Sequence, residues 1–320
     1  MIETAPRSGR TDRHPGEPLS RHVRRERLTA TSFLIPGLLL FGLFVVFPLT
    51  DTVYQSFFSI VPAGAGAERR FVGFALYREA LTEDAVFWGA MLNSTLWASW
   101  SVLVDIPLAF LLAWCLRTRV PGWRFYRTAW FAPMLLSPVL IGLLWRYILR
   151  YEGGLLNGLL RLVGLGALAT DWLGNPWALL WLFLATTWHT VGYYMVLTLT
   201  ALEEIPQDYL DAAVVDGASR RQQIWHIVLP ILRPLLATLI IITFTAKMRV
   251  FDLVWVTTRG GPYGKTETVI TWVVQRAFYY VSGQFDMGYP SAMAVIWLVV
   301  MALGILILAR IFRTRDLIQY

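Results

Sequence analysis

EEIPQDYLDAAVVDGASRRQQIWHIVLPILRP, residues 203–234, is the stretch on which the reading of this chain turns. It is charged, rich in helix formers and punctuated by Pro and Gly, and long apolar runs enclose it on both sides. Connections between helices are usually a handful of residues, so a structured connection of this length asks for a purpose. Local signals divide it into two short helices. Pro206 suits the first turn of the first helix, where a missing N–H costs nothing. Asp208 and Asp211 lie near that helix's positive end, and Gly217 supplies a left-handed stop. Ser219 caps the second helix, with Gln222 three residues on completing a capping box. Pro230 and Pro234 mark the return to the apolar run, and Ala212, Ala213 and Ala218 leave room for another surface to approach. On these residues alone two readings stay open: a hairpin lying by itself on a membrane, or a socket for a soluble partner.

The surrounding composition makes the membrane concrete. Of 320 residues 56% are hydrophobic and only 15% charged, with mean hydropathy +0.53, which is too apolar for an ordinary soluble domain. Fifteen Trp suit a protein with two lipid–water boundaries. The net charge of +7 comes mostly from residues flanking apolar runs, so it sets orientation and gives no reason to expect nucleic acid. Cys115, the single cysteine, lies in an apolar run and reads as a packing residue.

A bilayer core of about 30 Å takes about 20 helical residues to cross. Six stretches qualify: 32–57, 92–116, 128–149, 176–202, 234–257 and 290–309. Residues 1–31, 117–127, 203–233 and 310–320 hold 17 Lys and Arg, against 8 in 58–91, 150–175 and 258–289. That asymmetry puts both termini and the 203–234 segment in the cytoplasm. The expected chain is an all-α integral membrane protein of six transmembrane helices. A basic tail (1–31), disordered at least to about residue 20 by composition, leads into the first span and an outer loop (32–91). A five-span core (92–309) containing the 203–234 loop follows, then a short cytoplasmic tail (310–320). The first apolar run exceeds a signal peptide's and no small-x-small cleavage site follows, so it reads as an uncleaved span.

The 203–234 segment then acquires a relative. DAAVVDGASRRQQIWHIVLP resembles the EAA loop of ABC importer permeases, EAAxxDGAxxxxxFxxIxLP. Ala212, Ala213, Asp216, Gly217, Ala218, Ile227, Leu229 and Pro230 fall at that family's spacing, while Asp211 replaces Glu and Ile224 replaces Phe. VFDLVWVTTRGGPYGKTET (250–268) is similar to a second block of the binding-protein-dependent subfamily that imports sugars and related solutes, and the order of spans is similar from about residue 33 to the C-terminus. The resemblance implies a type I (MetI-like) permease fold. It implies that these ten residues receive ATPase subunits, with ATP and magnesium held there and no cofactor on this chain. It also implies a second permease subunit, usually a different chain, and an extracytoplasmic solute-binding protein. Cargo would lie between the spans either side of the loop, facing Thr186, His189, Thr190, Tyr193, Thr243 and Lys247. Hydroxyls, an imidazole and a phenol suit a polyol or sugar, and Lys247 suits a phosphate or carboxylate.

Charges inside spans are costly unless paired or facing water. Arg249 and Asp252 are three apart and are expected to form an internal salt bridge. Asp105 needs a partner, with Arg146 one candidate. An ion-coupled transporter relaying through Asp105, His189 and Asp252 is the competing reading, though it has no use for a structured loop. Gly260 to Thr266 imitates a phosphate-binding P-loop, but only three residues separate Gly260 from Gly264-Lys265 where four are needed. His14, His22, His189 and His226 have no metal-ligand spacing, and no nucleophile–base pair stands out.

Overall fold

The computed structural model describes residues 21–63, 66–279 and 287–312, with only the backbone path given for 21–30 and 60–68. The expected disordered lead and most of the C-terminal tail lie outside the described residues. Two units divide the chain, one ending at Asp51 and one beginning at Thr52. The first is helix α1, which starts at Arg21 and exposes Phe33, Leu38, Phe41, Phe44 and Phe47 on every side. A helix apolar all round belongs in lipid or in a large core.

The second unit begins with an antiparallel pair, β1 (Phe58–Ala63) and β2 (Gly66–Phe71), in which Phe58 faces Phe71 and Ser59 faces Arg70. Helices follow in order: α2 (Ala75–Thr82), α3 (Ala85–Arg117), α4 (Trp123–Leu135), α5 (Pro138–Ile148), α6 (Leu155–Leu162), α7 (Ala178–Glu203), α8 (Gln207–Val215), α9 (residues 220–247), α10 (Asp252–Thr257), α11 (Val269–Val274) and α12 (Gly288–Ile311). Neither the hairpin nor α2 and α6 was expected, because such short elements carry little hydropathy signal.

Six straight spans are not what the chain builds. Thr31–Gln55, Ala85–Arg117, Arg220–Thr257 and Gly288–Ile311 are long and apolar enough to cross a membrane. The expected third span is broken, with α4 and α5 meeting at 103°. The residue before a proline is driven out of the helical region, and both Leu136 and Ser137 before Pro138 are extended, at ψ 148° and 150°. Ser137 Oγ then accepts from Leu140 N and restarts the helix. The expected fourth span is α7, 26 residues long, whose Thr, His and Tyr side chains make it less apolar than the others. Helical geometry in the fifth ends at Lys247 and resumes at Asp252.

Three prolines within the helices share one device, which Pro36 and Pro234 lack. A proline ring collides with the carbonyl four residues back. Pro48, Pro107 and Pro230 are each preceded by one π-turn, at Gly42–Val46, Ser101–Asp105 and Ile224–Val228. Each π-turn holds the carbonyl that the ring would meet, and its wider spiral moves that carbonyl aside. Phe47, Ile106 and Leu229 accordingly donate to the carbonyls five residues back.

Three buried clusters hold the second unit. Ile106, Ala109, Met195, Leu199, Leu202, Leu210 and Leu232 join α3, α7, α8 and α9. Phe87, Met91, Met293 and Trp297 join α3 to α12, while Trp97, Ile141, Leu182 and Leu253 bind α5 and α10 to α3 and α7. Gly192 is where α7 meets α4, since a Cβ there would collide with the Trp130 carbonyl. Cys115 is exposed and does not serve the packing role expected of it.

Candidate functional site

The first candidate region is the 203–234 segment. Pro206 caps α8 from just outside, one place earlier than expected, and Gly217 adopts φ +79° with open space around its Cα. A side chain at that conformation would be strained. The capping box forms as spaced: Ser219 Oγ accepts from Gln222 N, and Gln222 Oε1 accepts from Ser219 N at 2.8 Å. Beyond it α9 continues without a break past Pro230 and Pro234, so these prolines mark no return turn. Leu210 and Ala213 are buried on the inner side, and Ile227 packs against the same cluster. Asp211, Ala212, Asp216, Gly217 and Pro230 are exposed, while Ala218, Ile224 and Leu229 are half-buried. Tyr209, Val214, Val215 and Trp225 add an exposed apolar surface that spacing had not singled out. Arg117, at the end of α3, donates to the Ile205 carbonyl at 3.4 Å and ties the segment's start to the bundle.

The second region is a cavity of about 410 Å³ among α5, α7, α9 and α10. Thr186, His189, Thr190, Tyr193 and Lys247 all line it, so five of the six expected path residues converge. Thr243 does not line it and is fully buried one turn before Lys247. His189 Nε2 lies 3.1 Å from the Leu136 carbonyl that the bend after α4 frees. Thr190 Oγ1 donates to the Thr186 carbonyl and accepts from Lys247 Nζ at 3.2 Å.

Asp105 is held by groups the sequence had not paired with it. Its Oδ1 accepts from Thr187 Oγ1 at 2.6 Å, and that hydroxyl accepts in turn from Trp100 Nε1 at 2.9 Å. Lys247 is the opposing charge that acts on it. Arg146 is not its partner; it donates to the Val256 carbonyl at 3.3 Å. The expected Arg249–Asp252 salt bridge is also absent among the described residues. Arg249 Nε donates to the Thr245 carbonyl, and Asp252 opens α10, because the helix break at 248–251 separates the two. Both line the cavity, as does Tyr194, which lies four residues from Thr190 on one face of α7. That spacing was the available signal for Tyr194.

A bundle of apolar helices around a largely apolar cavity that carries hydroxyls, an imidazole and a few charges, with a structured helical hairpin in the same chain, fits a membrane-embedded transport subunit. The chain belongs to the family of binding-protein-dependent transport system inner membrane components, which matches residues 105–315. Over 91% of its length it is 32% identical to a probable ABC transporter permease protein, YurN, of Bacillus subtilis, covering 98% of that relative. It is 30% identical to the sulfoquinovosyl glycerol transport system permease protein SmoG of Agrobacterium fabrum over 91% of this chain and 92% of the relative. The trehalose/maltose transport system permease protein MalF of Thermococcus litoralis is 27% identical, over 91% and 96%. Among solved structures, a bacterial ABC transporter involved in import of the acidic polysaccharide alginate shares the fold. Its TM-score is 0.78 at 22% identity, covering 92% of this chain and 98% of that one.

Proposed function

We propose that this chain is a permease subunit of an ATP-driven importer that moves a saccharide or saccharide-like solute into the cytoplasm by alternating access. It spans the bacterial cytoplasmic membrane six times, counting the bent α4–α5 pair and α7, with both termini inside. Its partners are a second permease of different sequence, two ATPase subunits that hold ATP and magnesium, an extracytoplasmic solute-binding protein and the surrounding lipid. Family membership and the saccharide cargoes in the relatives' names support this reading.

The observation that carries the coupling role is the continuity of α9. At 1.5 Å per residue a 220–247 helix is about 40 Å long, so one rigid element begins in the capping box and ends at Lys247 in the cavity wall. Asp211, Ala212, Asp216, Gly217 and the apolar Tyr209, Val214 and Val215 form the face an ATPase would press, and the buried Leu210 and Ala213 keep that push from dissipating. Thr186, His189, Thr190, Tyr193 and Lys247 form the cargo path, while Thr243 lies buried outside it.

The test is uptake by the assembled transporter in vesicles. Gly217→Pro and Asp216→Ala are expected to leave the protein in the membrane and ATP hydrolysis measurable while ATP-driven uptake falls at least tenfold. Normal uptake by both variants would sink the coupling assignment.

A further inference from the structure

A second and larger opening lies away from the cavity. It is a cleft of about 830 Å³ between the end of α5, the loop from Arg150 to Gly174 and the turn after α10. Its volume is near the upper end of pockets that hold small organic ligands, about 300–1,000 Å³. Tyr147 and Tyr151 line it and are 66% and 47% exposed. Arg146, Arg150, Glu152 and Asp171 also line it. Among the described residues none of these four charges is in an ion pair, so two guanidinium groups and two carboxylates face the opening with most of their hydrogen-bonding capacity unused.

Both walls are fixed in place. Asn157, fully buried, donates to the carbonyls of Tyr151 and Thr170 at 3.1 and 2.9 Å and accepts from Trp172 Nε1 at 2.8 Å, which clamps the two ends of the loop together. Arg161 sits 6.0 Å over the Tyr151 ring. Opposite, Thr266 Oγ1 shares a hydrogen bond with Thr258 Oγ1 at 2.7 Å and donates to the Gly261 carbonyl, which holds the Thr258–Pro262 turn.

We propose that this cleft is a saccharide-binding site, separate from the cavity among α5, α7, α9 and α10, and that it takes a neutral di- or trisaccharide. Aromatic faces pack against the C–H face of a pyranose, while carboxylates and guanidinium groups bind its hydroxyls in pairs. The charges cancel, which disfavours an anion that would have to face two carboxylates. Preformed walls spare the ordering cost of binding. The proposal rests on the importer reading, and it adds a waiting position for cargo on the side where a binding protein would release it.

The experiment uses the assembled transporter in nanodiscs without binding protein or ATP. Saturation-transfer NMR is recorded with trehalose, maltotriose, cellotriose and raffinose. At least one is expected to show transfer to its ring protons, lost in Tyr147→Ala/Tyr151→Ala and weakened about tenfold in Glu152→Gln, a conservative change at an exposed residue. No transfer from any of the four, or transfer that survives the double variant, overturns the proposal. So does a double variant that keeps saccharide transfer but loses binding-protein affinity, which would make the cleft a docking socket. ATP-driven saccharide uptake by the same preparation, with binding protein added, judges the importer reading on its own.

Discussion

Glu267 is the carboxylate most at odds with its surroundings. It is 3% exposed, its two oxygens each accept from Gln275 Nε2 at 3.0 Å, and a Cβ on Gly260 would run into it. Burial outweighs the hydrogen bonds from Gln275 and Thr271 and pushes its pKa up from 4.5 to about 7. A carboxyl raised in the folded state stabilises the fold fully below the unfolded value, and that contribution is lost as pH climbs through the folded one. The turn at 258–268 is therefore expected to loosen between pH 4.5 and about 7. Hydrogen exchange of those amides measures it: protection should fall across that window in the native chain and stay level in Glu267→Gln. A variant that keeps the native slope would remove Glu267 as the cause. The spacing in the sequence had already ruled out a phosphate loop in this turn. Its Gly-Lys-Thr imitates a phosphate loop, whereas the structure places it between two helices, where Asn93 Nδ2 holds the carbonyls of Lys265 and Glu267.

At the scale of elements, the 203–234 segment shows what was legible and why. Ser219, Gln222 and Gly217 act within a few residues of themselves, so their spacing alone gave the capping box and the left-handed stop. The prolines did not yield to the same reasoning. Pro138 starts a new helix after a break, while Pro230 and Pro234 leave theirs continuous; a π-turn moves aside the carbonyl behind Pro230, and none precedes Pro234. Pro230→Ala removes the collision that maintains the π-turn at Ile224–Val228. Reverting to α geometry would turn residues 220–228 by about 100° relative to the rest of α9. The expected outcome is a higher Tm together with at least a threefold loss of ATP-driven uptake. A variant with both properties unchanged would show that the ring does not hold the turn. Ser219→Ala is a gentler probe of the same element: losing a cap costs about 1 kcal/mol, so the Gln222 and Gln223 amides, which bond to Ser219, should exchange about fivefold faster.

For the whole molecule, the decisive tie is between residues far apart in the chain. Asp105 on α3 accepts from Thr187 on α7, and Lys247 on α9 donates to Thr190 on α7, so two hydrogen bonds between buried polar groups tie three membrane helices. The sequence showed that Asp105 and Lys247 were costly, but it could not show that both reach threonines on α7, since hydropathy carries no pairing information. Lys247 had invited an anionic cargo. Thr190 accepts from it at 3.2 Å, and the Asp105 charge acts on it although no ion pair joins the two among the described residues, so Lys247 ties the bundle together as well as lining the cavity. Removing one member of a buried pair leaves an uncompensated charge and typically costs about 3–5 kcal/mol, whereas replacing both is often close to neutral. Lys247→Met is thus expected to lower the unfolding temperature of the detergent-solubilised transporter sharply. Asp105→Asn combined with Lys247→Met should recover most of that loss, as followed by tryptophan fluorescence. Equal and additive losses in the two single variants and their combination would mean that the residues act independently. In that case its place in the cargo path alone would account for why so costly a charge is kept there.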